Sequence, residues 1–366
     1  MKALNLYGIE DLRYEETTPP EIDNSNDVII KVVATGICGS DNSRYKKLGP
    51  YRAGTPFGHE FSGTVHSVGN DVKHLSIGDA VTGCPAIVCH KCEQCEKGAY
   101  SRCENLYVIG SYEPGCFAEY VKLPAHNVLK LPNNVDFDTA AMVEPSAVVA
   151  HGFYRTTMKP GATVAVIGCG SIGLLALQWA KIFGAAKTIA IDIDPNKLEI
   201  AKTLGAAKTI AIDIDPNKLE IAKTLGVDYI INSKEENLND VIKTLPYNID
   251  VAVESAGSPF TIGQVLTLPS KGGEVLLLGI PYSDIEINRE HFEKILRNEL
   301  NVIGSWNGLS APFPGQEWHA SLHYMSTGKI KVHAMISDYL DLAQGPAIFD
   351  AIVNNKKHFN KVIFHP

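Results

Sequence analysis

After about residue 160, apolar strand-like stretches alternate with helix-like stretches, and this alternation constrains the fold more than any other feature of the chain. The strand-like stretches are TVAVIG, TIAIDID, DYIINS, IDVAVESAG and GGEVLLLGIP, and the segment from Ser171 to Phe183 has the first helical pattern. Strands that alternate with helices in sequence form a parallel sheet covered by helices on both faces. The sequence therefore predicts an α/β domain with a doubly wound parallel sheet.

The first part of the chain has another pattern. Residues 1 to about 145 contain short runs such as DVIIKVVATG, FSGTVHSVG and AEYVKLPA, separated by glycine, proline and aspartate. This pattern predicts an antiparallel, barrel-like β domain. After about residue 306 the pattern becomes mixed and ends in the strand-like KVIFHP. We expect one domain from residues 1–148 and 307–366 and a second from residues 149–306.

A glycine-rich turn joins the first strand of the α/β half to its first helix. Gly168, Gly170 and Gly173 have the spacing G-x-G-x-x-G, and Asp192 ends the next strand-like stretch. The first glycine permits a tight turn, the second lets the backbone approach a pyrophosphate, and the third lets helix and strand pack closely. An acid at this place binds ribose hydroxyls and repels a 2′-phosphate, so the pattern predicts NAD rather than NADP. A glycine turn in another kind of α/β protein is the alternative.

Four of the eight cysteines lie close together, with the spacing C-x2-C-x2-C-x7-C. They are Cys89, Cys92, Cys95 and Cys103, and we call residues 89–103 the four-cysteine lobe. Four thiolates suit a closed, tetrahedral zinc site of structural role, because no position remains for substrate. Unliganded thiols are one alternative. A zinc ribbon for nucleic acid is another, against which the mixed charge of the lobe argues. His90 lies within the lobe and is surplus to four sulfurs.

The formal net charge of −8 argues against a general affinity for nucleic acid or an acidic membrane surface, because phosphates attract basic proteins. Residues 162–180 carry no charge and are long enough to span a bilayer. Glycines interrupt this stretch, so a strand, a turn and a helix explain it better. The N-terminus has no apolar secretion signal, and clustered cysteines are typical of a reducing compartment. We therefore expect a cytoplasmic protein.

A thiol, an imidazole and two carboxyl groups are candidates for a second metal site. They are Cys38 in GICGSD, His59 and Glu60 in PFGHEFSG, and Glu144 in MVEPSAVVAHG. A thiolate, an imidazole and a carboxylate form a three-ligand zinc site whose open fourth position suits catalysis. Ligands far apart in sequence cannot be paired by spacing alone. Taken singly, the cysteine can equally be a core residue, and the histidine a buried or surface residue.

These motifs together carry a family resemblance. GICGSD, GHEFSG, the four-cysteine lobe, the EP dipeptide and GCGSIG occur in that order. The chain resembles the zinc-dependent medium-chain alcohol and polyol dehydrogenases over essentially its whole length outside a tandem repeat. The resemblance implies a GroES-like β-barrel catalytic domain, a Rossmann cofactor domain, NAD, one catalytic and one structural zinc ion, and a homodimer or homotetramer. It also implies that Cys38, His59 and Glu144 hold the catalytic zinc, with Glu60 either in the coordination shell or acting through water on the ion.

The resemblance implies a reaction as well. Zinc would polarise an alcohol, which would then lose a hydride to the nicotinamide. Ser40 would accept the proton first. In this chain Ser43 replaces the relay histidine of liver-type members of the family, so the proton would leave through ribose hydroxyls and water. Further cofactor contacts are expected from Ser171, Ile172, Lys197 and Gly279.

A basic group near Cys38 is either a solvated loop or a rim that binds phosphate. Its members are Arg44, Lys46, Lys47 and Arg52. Residues 291–318 resemble the branch of the family that oxidises hexitol phosphates, which implies conversion of galactitol 1-phosphate to tagatose 6-phosphate. An unphosphorylated polyol such as sorbitol or xylitol is the alternative substrate. A zinc- and NAD-binding protein that the repeat has made inactive is a second alternative.

Residues 184–204 and 205–225 are identical. Each copy holds the strand TIAIDID and a helix with an aspartate cap, a proline in its first turn and a glycine stop. Either both strands enter the sheet, or one copy is extruded at the surface. We expect extrusion, since the neighbouring helices suit a sheet of the original width, with the first copy in the native position. Asp192 and Lys197 would then meet the cofactor. Their rivals in the second copy are Asp213 and Lys218.

Overall fold

The computed structural model describes residues 1–354, 356 and 359–366. The chain forms two compact units. The first unit comprises residues 1–147, 307–328 and 336–366, and the second comprises residues 148–306 and 329–335. Each unit has its own sheets and its own hydrophobic core.

Strands dominate the chain up to residue 130. They are β1 (Lys2–Gly8), β2 (Asp11–Glu16), β3 (Asp27–Gly36), β4 (Thr55–Pro56), β5 (Glu60–Val68), β6 (Ala80–Gly83), β7 (Ala86–Ile87), β8 (Tyr107–Val108), β9 (Tyr120–Pro124) and β10 (Val128–Lys130). The helices of the same part and its continuation are α1 (Gly39–Ser43), α2 (Glu93–Glu96), α3 (Phe137–Ala141) and α4 (Val143–Tyr154).

The α/β part follows. Its strands are β11 (Thr163–Ile167), β12 (Lys187–Asp192), β13 (Lys208–Asp213), β14 (Tyr229–Asn232), β15 (Val251–Glu254), β16 (Glu274–Leu277) and β17 (Asn301–Gly304). Its helices are α5 (Ser171–Ile182), α6 (Pro195–Thr203), α7 (Pro216–Thr224), α8 (Leu238–Thr244), α9 (Pro259–Val265) and α10 (Arg289–Arg297). The last elements are α11 (Gln316–Ser326), β18 (Ile336–Asp341), α12 (Gly345–Val353) and β19 (Lys361–His365).

In the first unit, a seven-stranded sheet runs in the order β10-β6-β5-β3-β19-β18, with β9 paired to β3. Its pairs are antiparallel apart from β18 with β19. Smaller sheets have the orders β2-β1-β4 and β7-β8. Alternate apolar residues of β3, β5 and β9 form one core cluster, as the two-residue period of a strand requires. The predicted β domain is confirmed.

The register of β3, β5 and β19 brings distant parts of the first unit together. Gly36 at the end of β3 pairs with Glu60 at the start of β5 and with Ile363 of β19. Cys38 lies two residues after β3, and His59 immediately precedes β5. Backbone pairing therefore places the thiol, the imidazole and the carboxylate at one corner of the sheet.

The second unit is built on one parallel sheet in the order β14-β13-β12-β11-β15-β16-β17. From β11 the chain proceeds outward to β14 and then returns to the other side of β11 with β15. The predicted doubly wound sheet of a Rossmann domain is confirmed. The strand order reverses between β11 and β15, and the crevice outside the carboxyl ends of strands at such a reversal is where α/β proteins bind ligands.

Both copies of the tandem repeat lie in this sheet, so the expected extrusion of one copy is wrong. In parallel pairs, β12 of the first copy joins β11, and β13 of the second copy joins β12. The core contains the isoleucines of both strands, Ile189, Ile191, Ile210 and Ile212. Burial of a large apolar side chain contributes roughly 1.5–3 kcal/mol, which favours insertion of both strands over exposure of one copy. As a result, β14 lies one strand spacing, about 4.8 Å, farther out than a direct neighbour of β12 would.

Residues 329–335 belong to the second unit and not, as expected, to the first. Hydrogen bonds to α5 explain this assignment. The backbone N–H of Lys331 donates to Gln178 Oε1 at 2.7 Å, and Gln178 Nε2 donates to the Lys331 carbonyl at 3.4 Å.

The uncharged stretch 162–180 folds as β11, a turn and most of α5, as expected. α5 has 12 residues, fewer than the roughly 20 that a bilayer requires. Across the described parts of the chain, no helix is long and apolar enough to cross a membrane.

Candidate metal and cofactor sites

A thiol, an imidazole and a carboxylate meet at the paired ends of β3 and β5. The donor atoms of Cys38, His59 and Glu60 all lie within 4.8 Å of one another. Cys38 is half-buried in the turn before α1, and Glu60 is 1% exposed. This donor set fits a zinc ion that keeps an open coordination position.

Asp41, which sequence reasoning missed, orders this group. Its carboxylate accepts a hydrogen bond from the Cys38 backbone N–H at 2.9 Å, and its other oxygen lies 3.7 Å from His59 Nδ1. Burial raises the pKa of Asp41 to about 6. A carboxylate that faces one ring nitrogen leaves the other nitrogen to a metal. The available signal was the aspartate of GICGSD, three residues after the cysteine.

The charges around His59 favour a cation. Burial alone lowers the pKa of His59, but the negative charges of Asp41, Cys38 and Glu144 outweigh burial and raise this pKa well above its usual value. The raised pKa shows that the imidazole lies in a pocket of negative charge. A divalent cation would compensate the same charges. The residues present therefore fit the zinc ion that the donor set suggests.

Lys361 is a second residue that sequence reasoning missed. It lies in β19 and is 1% exposed. Its ammonium group contacts the Glu60 carboxylate and donates to the Ile37 carbonyl at 2.9 Å. A buried ammonium requires such partners, and the contact in turn restrains Glu60 beside the thiol and the imidazole. A lysine inside the apolar strand KVIFHP was the only sequence signal.

Glu144 lies outside this donor group. It is in the first turn of α4, and its carboxylate is not among the donor atoms that lie within 4.8 Å of one another. Burial raises the pKa of Glu144 to about 7, and its charge helps to raise the pKa of His59. Glu60 is thus the carboxylate within reach of Cys38 and His59, while Glu144 acts on His59 through its charge.

Ser40 lies in α1, two residues after Cys38, with its side chain exposed. Ser43, at the other end of α1, donates from its hydroxyl to the Gly39 carbonyl at 3.3 Å. Exposure leaves the Ser40 hydroxyl accessible to solvent.

Arg44 and Lys46, two members of the basic group near Cys38, contact other residues of the first unit. The Arg44 guanidinium lies 3.6 Å from the centre of the Tyr51 ring, and Lys46 pairs with Glu10. Lys47 and Arg52 are exposed. These contacts favour the charged-loop interpretation for Arg44 and Lys46 over a rim devoted to an anion.

The four-cysteine lobe has the geometry of one metal site. All four sulfurs lie within 4.8 Å of one another, and all four residues are free thiols. Cys103 Sγ is 3.6 Å from Cys89 Sγ, close to the separation of two sulfurs that share a tetrahedral zinc at about 2.3 Å each. The backbone N–H of Lys91 is the main reason that the pKa of Cys89 falls to about 6, which favours the zinc-binding thiolate. His90 packs against the His126 ring instead.

The glycine turn of the second unit has one open position. Gly168 has a φ of 89°, and a Cβ at Gly173 would lie 1.8 Å from the Gly168 carbonyl oxygen, so the protein itself requires both glycines. Apart from its two chain neighbours, no described residue has an atom within 4 Å of a Cβ at Gly170. α5 begins at Ser171 and has no side-chain cap among the described residues, so the N–H groups of Ser171 and Ile172 are available. Open space beside free N–H groups fits a pyrophosphate.

Asp192 lies beside this turn, and Asp213 does not. The Asp192 carboxylate accepts a hydrogen bond from the Cys169 backbone N–H at 2.5 Å. Burial raises the pKa of Asp192, and the charge of Lys197 opposes that rise. Asp213, one strand farther out, pairs with Lys218 at 2.9 Å. The aspartate of the first copy is therefore the one at the crevice.

Gly279 lies on the other side of the crevice, two residues after β16. Its N–H donates to the Glu254 carbonyl at 3.1 Å. A Cβ at Gly279 would lie 2.3 Å from the Glu254 carboxylate, so no larger residue fits. Sequence reasoning did not single out Glu254, which stands in an ordinary strand-like stretch.

Two family models match the chain. The alcohol dehydrogenase GroES-like domain matches residues 24–133. The zinc-binding dehydrogenase family matches residues 171–210 and, in a second overlapping segment, residues 199–325. The overlap falls on the tandem repeat, where the chain has one strand-and-helix unit more than the family pattern.

Individual relatives agree with these matches. Galactitol 1-phosphate 5-dehydrogenase of Escherichia coli (strain K12) is 35% identical over 329 residues, 89% of either chain. Sorbitol dehydrogenase of Bacillus subtilis (strain 168) is 30% identical over 374 residues, 100% of this chain and 97% of the other. The crystal structure of galactitol-1-phosphate dehydrogenase from Escherichia coli matches with a TM-score of 0.86 and 32% identity, covering 100% of both chains. The chain belongs to the zinc-dependent medium-chain alcohol and polyol dehydrogenases, oxidoreductases that use zinc and a nicotinamide cofactor.

Proposed function

We propose that this dehydrogenase oxidises a secondary alcohol of a hexitol phosphate with NAD as acceptor, converting galactitol 1-phosphate to tagatose 6-phosphate. The observation that carries the proposal is the joint likeness, in sequence and over the whole fold, to the Escherichia coli galactitol 1-phosphate enzyme. The Bacillus subtilis sorbitol dehydrogenase is also similar over the whole chain. An unphosphorylated polyol is therefore the second candidate.

Cys38 and His59 would hold the catalytic zinc, with a carboxylate as third ligand. When bound there, zinc supplies Lewis-acid chemistry that lowers the pKa of an alcohol. The geometry favours Glu60 as the third ligand, whereas the resemblance implies Glu144. The zinc content of Glu60→Gln and Glu144→Gln decides between them. The variant that binds only one zinc ion per chain has lost the third ligand of the catalytic zinc. The other variant should still bind two zinc ions per chain.

Side chains of the protein orient this group and receive the proton. Asp41 fixes the Cys38 backbone and faces His59, and Lys361 restrains Glu60. Ser40, exposed next to this group, is proposed as the first proton acceptor. Ser40→Ala should lower kcat while both zinc ions stay bound. An unchanged kcat would remove Ser40 from the proton path.

The position of the tandem repeat in the sheet favours an active enzyme over the inactive alternative. The extra strand β13 lies between β12 and β14, on the outer side of the sheet. The acid at the end of β12 and the loop after β15 both contact the glycine turn after β11. Because the crevice forms where β11 and β15 diverge, the insertion leaves the proposed NAD site intact.

A comparison of galactitol 1-phosphate, galactitol and sorbitol as substrates tests the proposal, with formation of NADH as the signal. The two galactitol compounds differ only in the phosphate group and are therefore a matched pair. We expect kcat/KM to be at least about tenfold higher for galactitol 1-phosphate, since a charged group adds roughly 1.4 kcal/mol or more. A preference for sorbitol would overturn the hexitol phosphate assignment, and no NADH from any polyol would support the inactive alternative.

We infer that the chain forms a homodimer, or a homotetramer of such dimers, through β17. This strand is an edge of the parallel sheet, and its Val302 is 41% exposed. None of the residues of the neighbouring α10 is buried, and Phe292 and Leu296 are 51% and 67% exposed. A second copy would cover this edge and these apolar side chains. Light scattering measures the assembly, and a stable monomer at micromolar concentration would refute it.

A further inference from the structure

Glu254, the last residue of β15, is a fully buried carboxylate, with 0% of its surface exposed. It accepts hydrogen bonds from the backbone N–H groups of Ala256 and Gly257, each at 3.0 Å, and from the Thr261 hydroxyl at 2.7 Å. All three donors are neutral, and among the residues that the structure describes no cationic side chain pairs with it. Burying a carboxylate costs desolvation free energy that an apolar residue would avoid, so the presence of Glu254 here requires an explanation.

Two of the donors, Ala256 and Gly257, belong to the loop after β15, and Thr261 lies in the first turn of α9, which follows this loop. The loop packs on the glycine turn after β11. The Ser255 hydroxyl donates to the Gly168 carbonyl at 2.8 Å. A Cβ at Gly168 would lie 2.9 Å from the Ala256 nitrogen. β11 and β15 are neighbours at the reversal of strand order, so these two loops form the base of the crevice. Glu254 thus determines the backbone conformation at the point where the two loops touch.

The loop after β16 also packs on residue 254. The N–H groups of Leu278 and Gly279 donate to the backbone carbonyl of Glu254 at 2.9 and 3.1 Å. A Cβ at Gly279 would lie 2.3 Å from its carboxylate, and one at Gly257 would lie 2.4 Å from the Ile280 carbonyl oxygen. The loops after β15 and β16 are therefore packed backbone to backbone around this one side chain.

These loops lie on the side of the glycine turn opposite to Asp192. Asp192, at the end of β12, marks the adenosine side of the proposed NAD site. A dinucleotide whose pyrophosphate lies on the glycine turn extends its nicotinamide half over the loops on the other side. We propose that Glu254 is a positioning residue for the nicotinamide half of the cofactor, which it serves by holding the loops after β15 and β16 in place. This inference rests on the proposed NAD site.

The sheet provides a matched control in Glu274. This residue is also a buried carboxylate, 5% exposed, with neutral donors. It accepts a hydrogen bond from the Thr157 N–H at 3.0 Å and one from the Thr157 hydroxyl at 2.7 Å. However, it begins β16, at the end of the sheet away from the crevice. Its removal should affect stability without affecting the nicotinamide.

The test measures the Kd of the full-length protein for NADH and for ADP-ribose, which lacks the nicotinamide. Glu254→Gln should raise the Kd for NADH about tenfold and that for ADP-ribose by less than about twofold, because the neutral amide accepts more weakly at Oε1, where Ala256, Gly257 and Thr261 donate, and places an NH2 group where Oε2 faces the Gly257 N–H at 3.3 Å. Thr261→Val removes one donor and keeps the carboxylate, and it should raise the Kd for NADH about threefold. Glu274→Gln should lower the melting temperature and leave both Kd values within about twofold.

Equal changes for NADH and ADP-ribose in Glu254→Gln, or the same NADH-specific loss in Glu274→Gln, would overturn the positioning role. Binding of NADH by the wild type would then leave the proposed function standing. A wild type that binds neither ligand would overturn the proposed function and this inference with it. If Glu254→Gln does not fold, Thr261→Val decides, since a loss confined to NADH supports the role and no difference overturns it.

Discussion

Residues 184–204 and 205–225 form the same strand and the same helix from the same letters, yet the two copies differ at both ends of the strand. At the carboxyl end, Asp192 accepts a hydrogen bond from Cys169 of the glycine turn. Asp213 pairs with a lysine of its own copy instead. Only the strand next to β11 delivers its aspartate to the crevice, so position in the sheet decides what this residue can do.

The amino end of the strand shows the opposite difference. Thr209 donates from both its N–H and its hydroxyl to Asp228, each at 2.9 Å. Thr188 is the equivalent residue of the first copy, and Ala207 stands beside it where Asp228 stands beside Thr209. The N–H of Ala207 donates to the Thr188 carbonyl at 2.8 Å. The Thr188 hydroxyl is buried, and no partner for it occurs in the described part of the chain. The repeat has therefore moved the aspartate one strand outward and left the first copy without it.

The helices differ in the same way. Pro195 and Leu198 of α6 are buried, whereas Pro216 of α7 is exposed and Leu219 is half-buried. α6 packs against α5 on one side and α7 on the other. Identical amphipathic patterns thus bury different fractions of their apolar surface, because the number of neighbouring helices is a property of the sheet and not of the segment.

The largest expected effect concerns the two aspartates at the carboxyl end. Asp192→Ala should raise the Kd for NAD at least about tenfold, because hydrogen bonds from ribose hydroxyls to a carboxylate contribute roughly 1.5–3 kcal/mol. Asp213→Ala should change it less than about twofold. Isothermal titration measures both variants. A loss confined to Asp213→Ala would show that the second copy occupies the cofactor position.

Substitution of the two threonines should have a smaller effect, and here the residue of the second copy should matter more than that of the first. Thr209→Val removes a hydrogen bond to Asp228 and should lower the free energy of unfolding by about 1–2 kcal/mol. Thr188→Val removes a hydroxyl that has no partner, so it should leave this free energy unchanged or slightly increase it. Urea denaturation compares them at one pH. Equal losses would mean that the Thr188 hydroxyl has a partner after all.

Features that depend on neighbouring residues in the sequence were predicted correctly. The alternation after residue 160 and the spacing of Gly168, Gly170 and Gly173 predicted the parallel sheet and the turn between β11 and α5. The insertion of β13 was not predictable, because the isoleucines of a copy are equally apolar in either outcome. What decides is whether the sheet can accept another strand, and that depends on elements far from the repeat.

The candidate metal group shows the same limit. Cys38 and His59 stood in recognisable motifs, but Lys361 and Asp41 carried no metal-ligand spacing of their own. Lys361 reaches Glu60 only through the register of β19, β3 and β5, over a sequence separation of 301 residues. Long-range register is the information that a single sequence does not display.

A substitution that repairs the first copy sharpens the comparison. Ala207→Asp places an aspartate beside Thr188 and Lys187, as Asp228 lies beside Thr209 and Lys208. We expect it to raise the free energy of unfolding by about 1 kcal/mol, and by less when Thr188 is replaced by valine, because the bond from the hydroxyl is then lost. Thermal or urea denaturation of Ala207→Asp with and without Thr188→Val measures this coupling. The same gain in both backgrounds would contradict the repair.

The gain from Ala207→Asp should also depend on pH. Burial alone raises the pKa of Asp228, but hydrogen bonds from Lys208 and Thr209 outweigh burial and lower it from the ordinary 3.8. A carboxylate with a lowered folded-state pKa stabilises the protein above its unfolded pKa and loses this effect as the pH falls through the folded value. Aspartate at position 207, in the same surroundings, should therefore stabilise at neutral pH and lose its effect below about pH 3.8.

The smallest expected difference lies at the ends of the helices. Lys202 of the first copy donates from its Nζ at 3.0 Å to the carbonyl of Gly226, the residue that follows the second copy, whereas Lys223 of the second copy lies 3.9 Å from Glu220. A cation near the last carbonyls of a helix stabilises it by about 0.5 kcal/mol at an exposed site. Lys202→Met should therefore lower the melting temperature slightly, and Lys223→Met should lower it less. Equal shifts at low ionic strength would show that the two lysines are equivalent, and the difference between the copies would then be confined to their strands and to the burial of their helices.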